Sequence, residues 1–248
     1  MTRRRLPGWI TTQPIAHRGL HNAAAGVIEN TLSAFEAATQ NHYAIELDVL
    51  PSKDGEAIVF HDDDLARLCR RPERVRDMTA AELACVPIQG TPDGIPTLGQ
   101  ALEHIHGRVP ILVELKSDER AGGLEARVGA VLRDYTGPVA VQSFNPRSMA
   151  WFAANMPSLP RGQLAMRYTT QEAPKLGAGQ RFILTNLLSA KLSKPDFIAY
   201  HVDSLNSLAP RIARRLGLPL ITWTVKSRED WQRARRHADN LIFEGFAA

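Results

Sequence analysis

Short apolar runs recur along nearly the whole of this chain, and almost every run is followed by a stretch of helical composition. The runs are an opening one at Pro14–Leu20, then Tyr43–Leu50, Val109–Lys116, Val139–Gln142, Arg161–Ala165, Phe197–His201, Leu220–Trp223 and Leu241–Phe243. Helical stretches are expected at Ser33–Ala38, Thr97–His106, Glu119–Arg133, Pro146–Asn155, Ser207–Leu216 and Ser227–Ala238. The stretch after Ala165 is the least clear, because Gln171–Gly179 is rich in Gly and Pro. A strand that must return through a helix before the next strand pairs in parallel. Eight such units in 248 residues fit a closed parallel (β/α)8 barrel, a TIM barrel, with an open doubly wound sheet as the alternative. The expected organisation is one domain over residues 1–248, with a core of about 12–246.

Chemistry-bearing residues sit where those runs end. Pro14-Ile15-Ala16 gives way to His17-Arg18-Gly19, placing a proton-transferring imidazole and a planar, permanently charged fork at a chain reversal. On its own the trio fits an ordinary surface turn equally well. In Tyr43–Leu50, alternation puts Ile45, Leu47 and Val49 on one face and Glu46 and Asp48 on the other. Two carboxylates on a mostly apolar strand either face solvent at a sheet edge or are buried beside a counter-charge, and a metal ion is an economical one. Val109–Lys116 ends in Glu114, with Lys116 on the same face. A short extra strand, Ala57–Phe60, runs into His61-Asp62. In a parallel barrel such strand ends gather at one rim, where catalytic groups collect.

The segment of about 51–96 reads as a small insertion after the second strand. Its part from Asp63 to Gly94 is polar and Arg-rich, too poor in apolar residues for a core of its own. A short helix at Thr79–Ala84 is expected, with Thr79 and Glu82 at capping-box spacing. Asn30 is the expected N-cap of the first helix.

Composition sets limits on class. The net charge of +4, from 30 Lys+Arg against 26 Asp+Glu, does not call for nucleic acid, and no groove of interleaved basic and aromatic residues is visible. Basic residues concentrate at Arg3–Arg5 and between Arg211 and Arg236, as a solvated helix face or a weak attraction to anionic surfaces. Two cysteines, Cys69 and Cys85, do not make a stapled scaffold and are expected as reduced thiols. No apolar leader follows the N-terminal arginines and no run reaches membrane-spanning length, so the expectation is a cytoplasmic protein without stable membrane insertion.

Taken in order, His17-Arg18-Gly19, Glu29-Asn30-Thr31, Glu46-Leu47-Asp48-Val49 with the following Lys53-Asp54-Gly55, His61-Asp62, Ile95–Leu98, Glu114-Leu115-Lys116 and Trp223-Thr224-Val225 resemble the glycerophosphodiester phosphodiesterase family. The resemblance spans nearly the whole chain. It implies a (β/α)8 barrel with a small insertion after the second strand, and hydrolysis of a small-molecule glycerophosphodiester to an alcohol and sn-glycerol 3-phosphate. By the same resemblance, Glu46, Asp48 and Glu114 are ligands of one divalent ion, and three hard oxygen donors suit Mg²⁺ or Ca²⁺. His17 and His61 are the acid–base pair, Arg18 neutralises the phosphoryl oxygens with Lys116 assisting, and Glu29 belongs to the polar wall. Trp223 floors the glycerol pocket or is an ordinary core residue. Two departures stand out: the chain reads Ile242-Phe243-Glu244-Gly245-Phe246 where the family usually carries a Thr-Asp-aromatic-Pro motif, and Arg67-Leu68 stands where Arg-Thr is usual. The alternatives are a barrel phospholipase, of C or sphingomyelinase-D type, and a non-catalytic phosphodiester-binding barrel. The alcohol and the oligomeric state stay open.

Overall fold

A computed structural model describes residues 6–117 and 120–248. The basic triplet Arg3–Arg5 and Glu119, the expected start of one helix, lie outside the described residues. In chain order the first half contains α1 (Trp9–Thr12), β1 (Ile15–Ala16), α2 (Leu32–Gln40), β2 (Ala44–Pro51), β3 (Ala57–Val59), α3 (Ala66–Cys69), α4 (Ala80–Ala84), α5 (Leu98–Ile105), β4 (Ile111–Leu115) and α6 (Gly123–Arg133). There follow β5 (Val139–Ser143), α7 (Pro146–Asn155), β6 (Arg161–Ala165), α8 (Ala178–Thr185), α9 (Ala190–Ser193), β7 (Phe197–His201), α10 (Leu208–Arg215), β8 (Leu220–Val225), α11 (Arg228–Ala234) and β9 (Asn240–Phe243). One sheet carries the strands in the order β1-β9-β8-β7-β6-β5-β4-β2-β3, and β1 also pairs with β2. The fold is the expected closed parallel barrel of eight strands with helices between them, and β3 is appended antiparallel to β2. Among the described residues no helix is long and apolar enough to cross a membrane. Neither cysteine is bonded; Cys69 is buried and Cys85 exposed.

The chain divides into two compact units. One runs from Ile15 to Val141; the other joins Gln142–Ala248 to the segment that ends at Pro14.

In the Ile15–Val141 unit, β2 is buried from Ala44 to Leu50, including its two carboxylates. Its parallel register on β4 sets Asp48 beside Glu114. β1 is only Ile15 and Ala16, and the chain then turns through Arg18 (φ 56°) and Gly19 (φ 80°). Gly19 N–H donates to the carbonyls of Ala16 and Glu46 at 3.3 and 3.2 Å, and a Cβ on Gly19 would lie 2.8 Å from the Ala34 Cβ of α2. Only glycine meets both the positive φ and that close approach.

One expectation is corrected here. The N-cap of α2 is Thr31, whose Oγ1 accepts from Ala34 N–H at 3.3 Å. Asn30 instead has φ 57° and turns its amide toward Asp48. The apolar residues of the inserted segment join a shared cluster: Leu65, Cys69, Val75, Leu83, Val86 and Ile88 pack with Ile28, Leu50, Ile58, Phe60 and Ile95. Its apolar residues are scattered singly in sequence, and the fold gathers them onto β2 and β3 rather than into a separate body. The expected capping box of Thr79 and Glu82 starts α4.

In the other unit, β6 to β9 run parallel, and β7 and β8 cover a cluster formed with Leu187, Leu205, Ala209, Ala213, Ala234 and Ala238. The Gly- and Pro-rich stretch after β6 resolves into a loop followed by α8 and α9. The short α1 was not expected; the Asn240 amide holds it by donating to Ile10 O at 2.9 Å and Gln13 O at 2.7 Å.

Gly19→Ala tests the turn after β1. It combines a strained φ with a Cβ clash against a buried helix and should cost about 1–3 kcal/mol. Thermal unfolding should show a Tm lower by at least about 2 °C, and an unchanged Tm would contradict the tight β1–α2 approach.

Candidate functional site

Five carboxylates and three fixed cations meet in the Ile15–Val141 unit. Glu46 and Asp48 come from β2 and Glu114 from β4; all three are buried, and one oxygen of each lies within 4.8 Å of the others. Lys116 Nζ reaches Glu114 Oε1 at 2.7 Å and Asp48 Oδ1 at 3.1 Å. Arg18 donates from its backbone N–H to Glu46 Oε2 (3.0 Å) and from Nη1 to Glu29 Oε1 (2.7 Å), while its Nε stands 3.3 Å from Asp48 Oδ2. Asn30 Nδ2 donates to the same Asp48 oxygen at 2.9 Å. The positive φ of Arg18, uncommon for a residue with a Cβ, aims its N–H at the carboxylate.

A row of charged side chains joins this centre to His61. Arg67 donates from Nη1 and Nη2 to Glu29 at 2.9 and 2.7 Å, and from Nε to Asp62 Oδ2 at 2.7 Å. Asp62 Oδ1 lies 2.7 Å from His61 Nδ1. With Nδ1–H donated to Asp62, His61 presents Nε2. His17 follows β1 directly and is half-buried.

Electrostatics within the cluster are uneven. Burial pushes Glu46 well above the usual carboxylate range, and the charges of Asp48 and Glu114 push in the same direction. Burial also opposes ionisation of Asp48, but Lys116, His61, Arg18 and His17 outweigh it and hold Asp48 below its ordinary value. Lys116 loses hydration, yet Glu114 and Asp48 more than compensate and raise it. Glu29 is lowered against its own burial by Arg67 and Arg18. Counted as full charges, Glu29, Glu46, Asp48, Asp62 and Glu114 exceed Arg18, Arg67 and Lys116 by two.

The donor set fits a divalent cation. Among the described residues, Glu46 Oε1 is buried without a hydrogen-bond partner. Among the same residues, Asp48 Oδ1 and Glu114 Oε1 have only the Lys116 ammonium, which approaches without hydrogen-bond geometry. A buried unpaired carboxylate oxygen is costly, and a hard cation removes that cost.

Trp223 belongs to the other unit. It is half-buried and lies edge-on to Phe144 (5.4 Å between centroids) and His201 (4.8 Å), and its Nε1 is buried without a hydrogen-bond partner. Of the expected site residues, the structure therefore gathers Arg18, Glu29, Glu46, Asp48, Glu114 and Lys116 through direct contacts. It links His61 to them through Asp62 and Arg67. Asn30, Asp62 and Arg67 were not singled out for the site. His61-Asp62 carried the only available signal for Asp62; the contacts of Asn30 and Arg67 span 18 and 38 residues and leave no local pattern.

The raised pKa of Glu46 has a signed consequence. A carboxylate that binds its proton more tightly when folded makes the folded state lose stability as pH rises from the ordinary Glu value through its raised one. In chelator, Glu46→Gln should therefore be more stable than the parent near neutral pH, by at least about 2 °C in Tm. The difference should shrink as pH falls toward the ordinary carboxylate range; a pH-independent difference would contradict the strained Glu46 charge.

Known proteins match this chain over most of its length. The model of the glycerophosphoryl diester phosphodiesterase family matches residues 17–242. YhdW of Bacillus subtilis (strain 168) is 31% identical over 226 residues, covering 87% of this chain and 86% of YhdW. A glycerophosphodiester phosphodiesterase of the same strain is 29% identical over 242 residues, covering 88% of this chain and 78% of that protein. In fold, the chain is similar to an Oleispira antarctica phosphodiesterase solved with the product sn-glycerol-3-phosphate, with a TM-score of 0.78, 21% identity, and coverage of 94% of this chain and 93% of that one. A glycerophosphodiester phosphodiesterase from Thermotoga maritima gives a TM-score of 0.70 at 25% identity over 92% of each chain. The chain belongs to the glycerophosphoryl diester phosphodiesterase family.

Proposed function

We propose that this chain hydrolyses glycerophosphodiesters to an alcohol and sn-glycerol 3-phosphate, using one divalent cation held by Glu46, Asp48 and Glu114 and dividing proton transfer between His17 and His61. The observation that carries the reading is the buried carboxylate triad with an unpartnered oxygen, inside a segment matched by a family of phosphoric diester hydrolases. Oxygen-only donors suit Mg²⁺ or Ca²⁺. When bound there, such an ion supplies Lewis-acid neutralisation of phosphoryl oxygens.

The remaining work falls to the chain's own residues. Arg18 Nη1 donates to Glu29 while its Nε stands 3.3 Å from Asp48 without hydrogen-bond geometry, which holds the guanidinium between the two carboxylates and leaves Nη2 for a phosphoryl oxygen. Glu29 is thereby an orienting wall residue, clamped in turn by Arg67. Lys116 balances the triad and supplies a second positive charge. His17 removes the proton from the attacking oxygen, either a neighbouring glycerol hydroxyl or water; attack by the hydroxyl gives a cyclic phosphate that water then opens. His61, its ring oriented by Asp62, returns a proton to the leaving alkoxide through Nε2. Each such transfer typically contributes ~10²–10⁴-fold.

Chelation should abolish release of sn-glycerol 3-phosphate, and Mg²⁺ or Ca²⁺ should restore it; full turnover by metal-stripped protein would sink the metal-dependent reading. Arg18→Lys retains the charge but cannot meet Asp48, Glu29 and phosphate together. It should lower kcat/KM at least about tenfold, and parity with the parent would exclude phosphate binding by the guanidinium. Leaving-group dependence separates the histidines. A nitrophenolate leaves without protonation, so on a glycerophospho-nitrophenyl ester His61→Ala should recover much of its lost rate while His17→Ala stays impaired. Recovery by His17→Ala alone would reverse the assignment.

A further inference from the structure

The exposed large apolar side chains of the described residues all fall between residues 182 and 216. Phe182 of α8 is 63% exposed, and Leu208 and Leu216, in and just after α10, are 66% and 67% exposed. Leu208, Ile212 and Leu216 recur every four residues and form one solvent-facing stripe, while Ala209, Pro210 and Ala213 of the same helix are buried. α10 therefore has two apolar faces, and only one is used by the core. α8 has no buried residue at all, although it carries Phe182 and Ile183. Between these helices runs an apolar groove of about 380 Å³, lined in part by Leu187, Leu188 and Ile212.

The charge beside this face has one sign. Arg211 and Arg215 are exposed and make no ion pair among the described residues, and Lys191 of α9 and Lys194 just after it are also exposed. Arg214 alone of the three α10 arginines is neutralised, by Asp239 at 2.6 Å. Residues 174–218 hold seven Lys and Arg against two Asp. A self-complementary contact between two copies would set these cations against their equivalents. An anionic partner matches them. Large apolar side chains projecting from a surface helix among arginines and lysines form the pattern that enters the boundary between lipid headgroups and acyl chains. No helix of the described residues spans a membrane, so the association is peripheral.

We propose that the face made by α8, α9 and α10 docks this protein onto an anionic lipid bilayer, with Phe182, Leu208 and Leu216 entering the interface and Arg211 and Arg215 contacting the headgroups. The docking stands on these helices alone and does not require the activity proposed above. For an enzyme with that activity, the bilayer is where deacylation of phospholipids releases glycerophosphodiesters.

Vesicle flotation of the full chain tests it, comparing phosphatidylcholine alone with mixtures containing about 30 mol% phosphatidylglycerol. The parent should float with the anionic vesicles, less so at high salt, and not with the neutral ones. Leu208→Ser/Leu216→Ser and Arg211→Glu/Arg215→Glu should each weaken that binding at least about tenfold, with hydrolysis of a soluble glycerophosphodiester unchanged. In Leu208→Trp, emission beyond that of the four native tryptophans should shift to shorter wavelength on anionic vesicles and be quenched by brominated lipid. This variant reports insertion even if the serine variant fails to fold. The proposal is overturned if the parent does not float, if the variants float equally, or if the added tryptophan is blind to lipid. It is equally overturned if the serine variant instead dissolves a dimer, or if the face captures an acidic polypeptide without binding vesicles.

Discussion

The structure of the site depends on burying three carboxylates against one another. Asp48 and Glu114 lie side by side because β2 and β4 are parallel and in register, and Glu46 precedes Asp48 on the same face of β2. Such a cluster is unfavourable by itself: desolvation and mutual repulsion both act on Glu46. What surrounds it is accordingly cationic or amide, namely Lys116, Arg18 and Asn30. These groups compensate only part of the charge, and a divalent ion is the simplest completion of the set.

The same need for compensation organises the rest of the site. Arg18 can serve Asp48 and Glu29 together only because the chain turns through a positive φ directly after β1, and Gly19 makes the turn against α2 possible. Glu29 is shared between Arg18 and Arg67, and Arg67 is shared between Glu29 and Asp62. Asp62 then fixes the ring of His61. A chain of ion pairs and charge-assisted hydrogen bonds thus runs from the carboxylate centre to an imidazole on the inserted segment, so an exposed arginine far along the sequence helps to orient the ring of His61.

Much of this was legible in the chain itself. The βα repetition read as a barrel because each strand is a short apolar run bounded by turns, and the carboxylates were visible because they break the apolar pattern of their strands. What stayed hidden depends on contacts distant in sequence. Asn30 has the composition of a helix cap, but its side chain is drawn to Asp48 and Thr31 takes the cap. Arg67 stood out only as the start of a departure from the family's pattern; its pairing with Glu29 exists once the insertion folds back. The cluster that the insertion builds on β2 and β3 was hidden because its apolar residues are isolated in a polar stretch. The helix after β6 was obscured because Gln171–Gly179 is rich in Gly and Pro, and none of the residues of α8 is buried.

The proposed function depends on one divalent-cation site formed by Glu46, Asp48 and Glu114. Calorimetric titration of metal-stripped protein with Mg²⁺ and Ca²⁺, with Asp48→Asn in parallel, tests it most directly. The expected result is saturable binding of a single ion per chain by the parent and its loss in Asp48→Asn, with both proteins folded by circular dichroism. Absence of binding in the parent, or an isotherm unchanged by Asp48→Asn, would contradict the account.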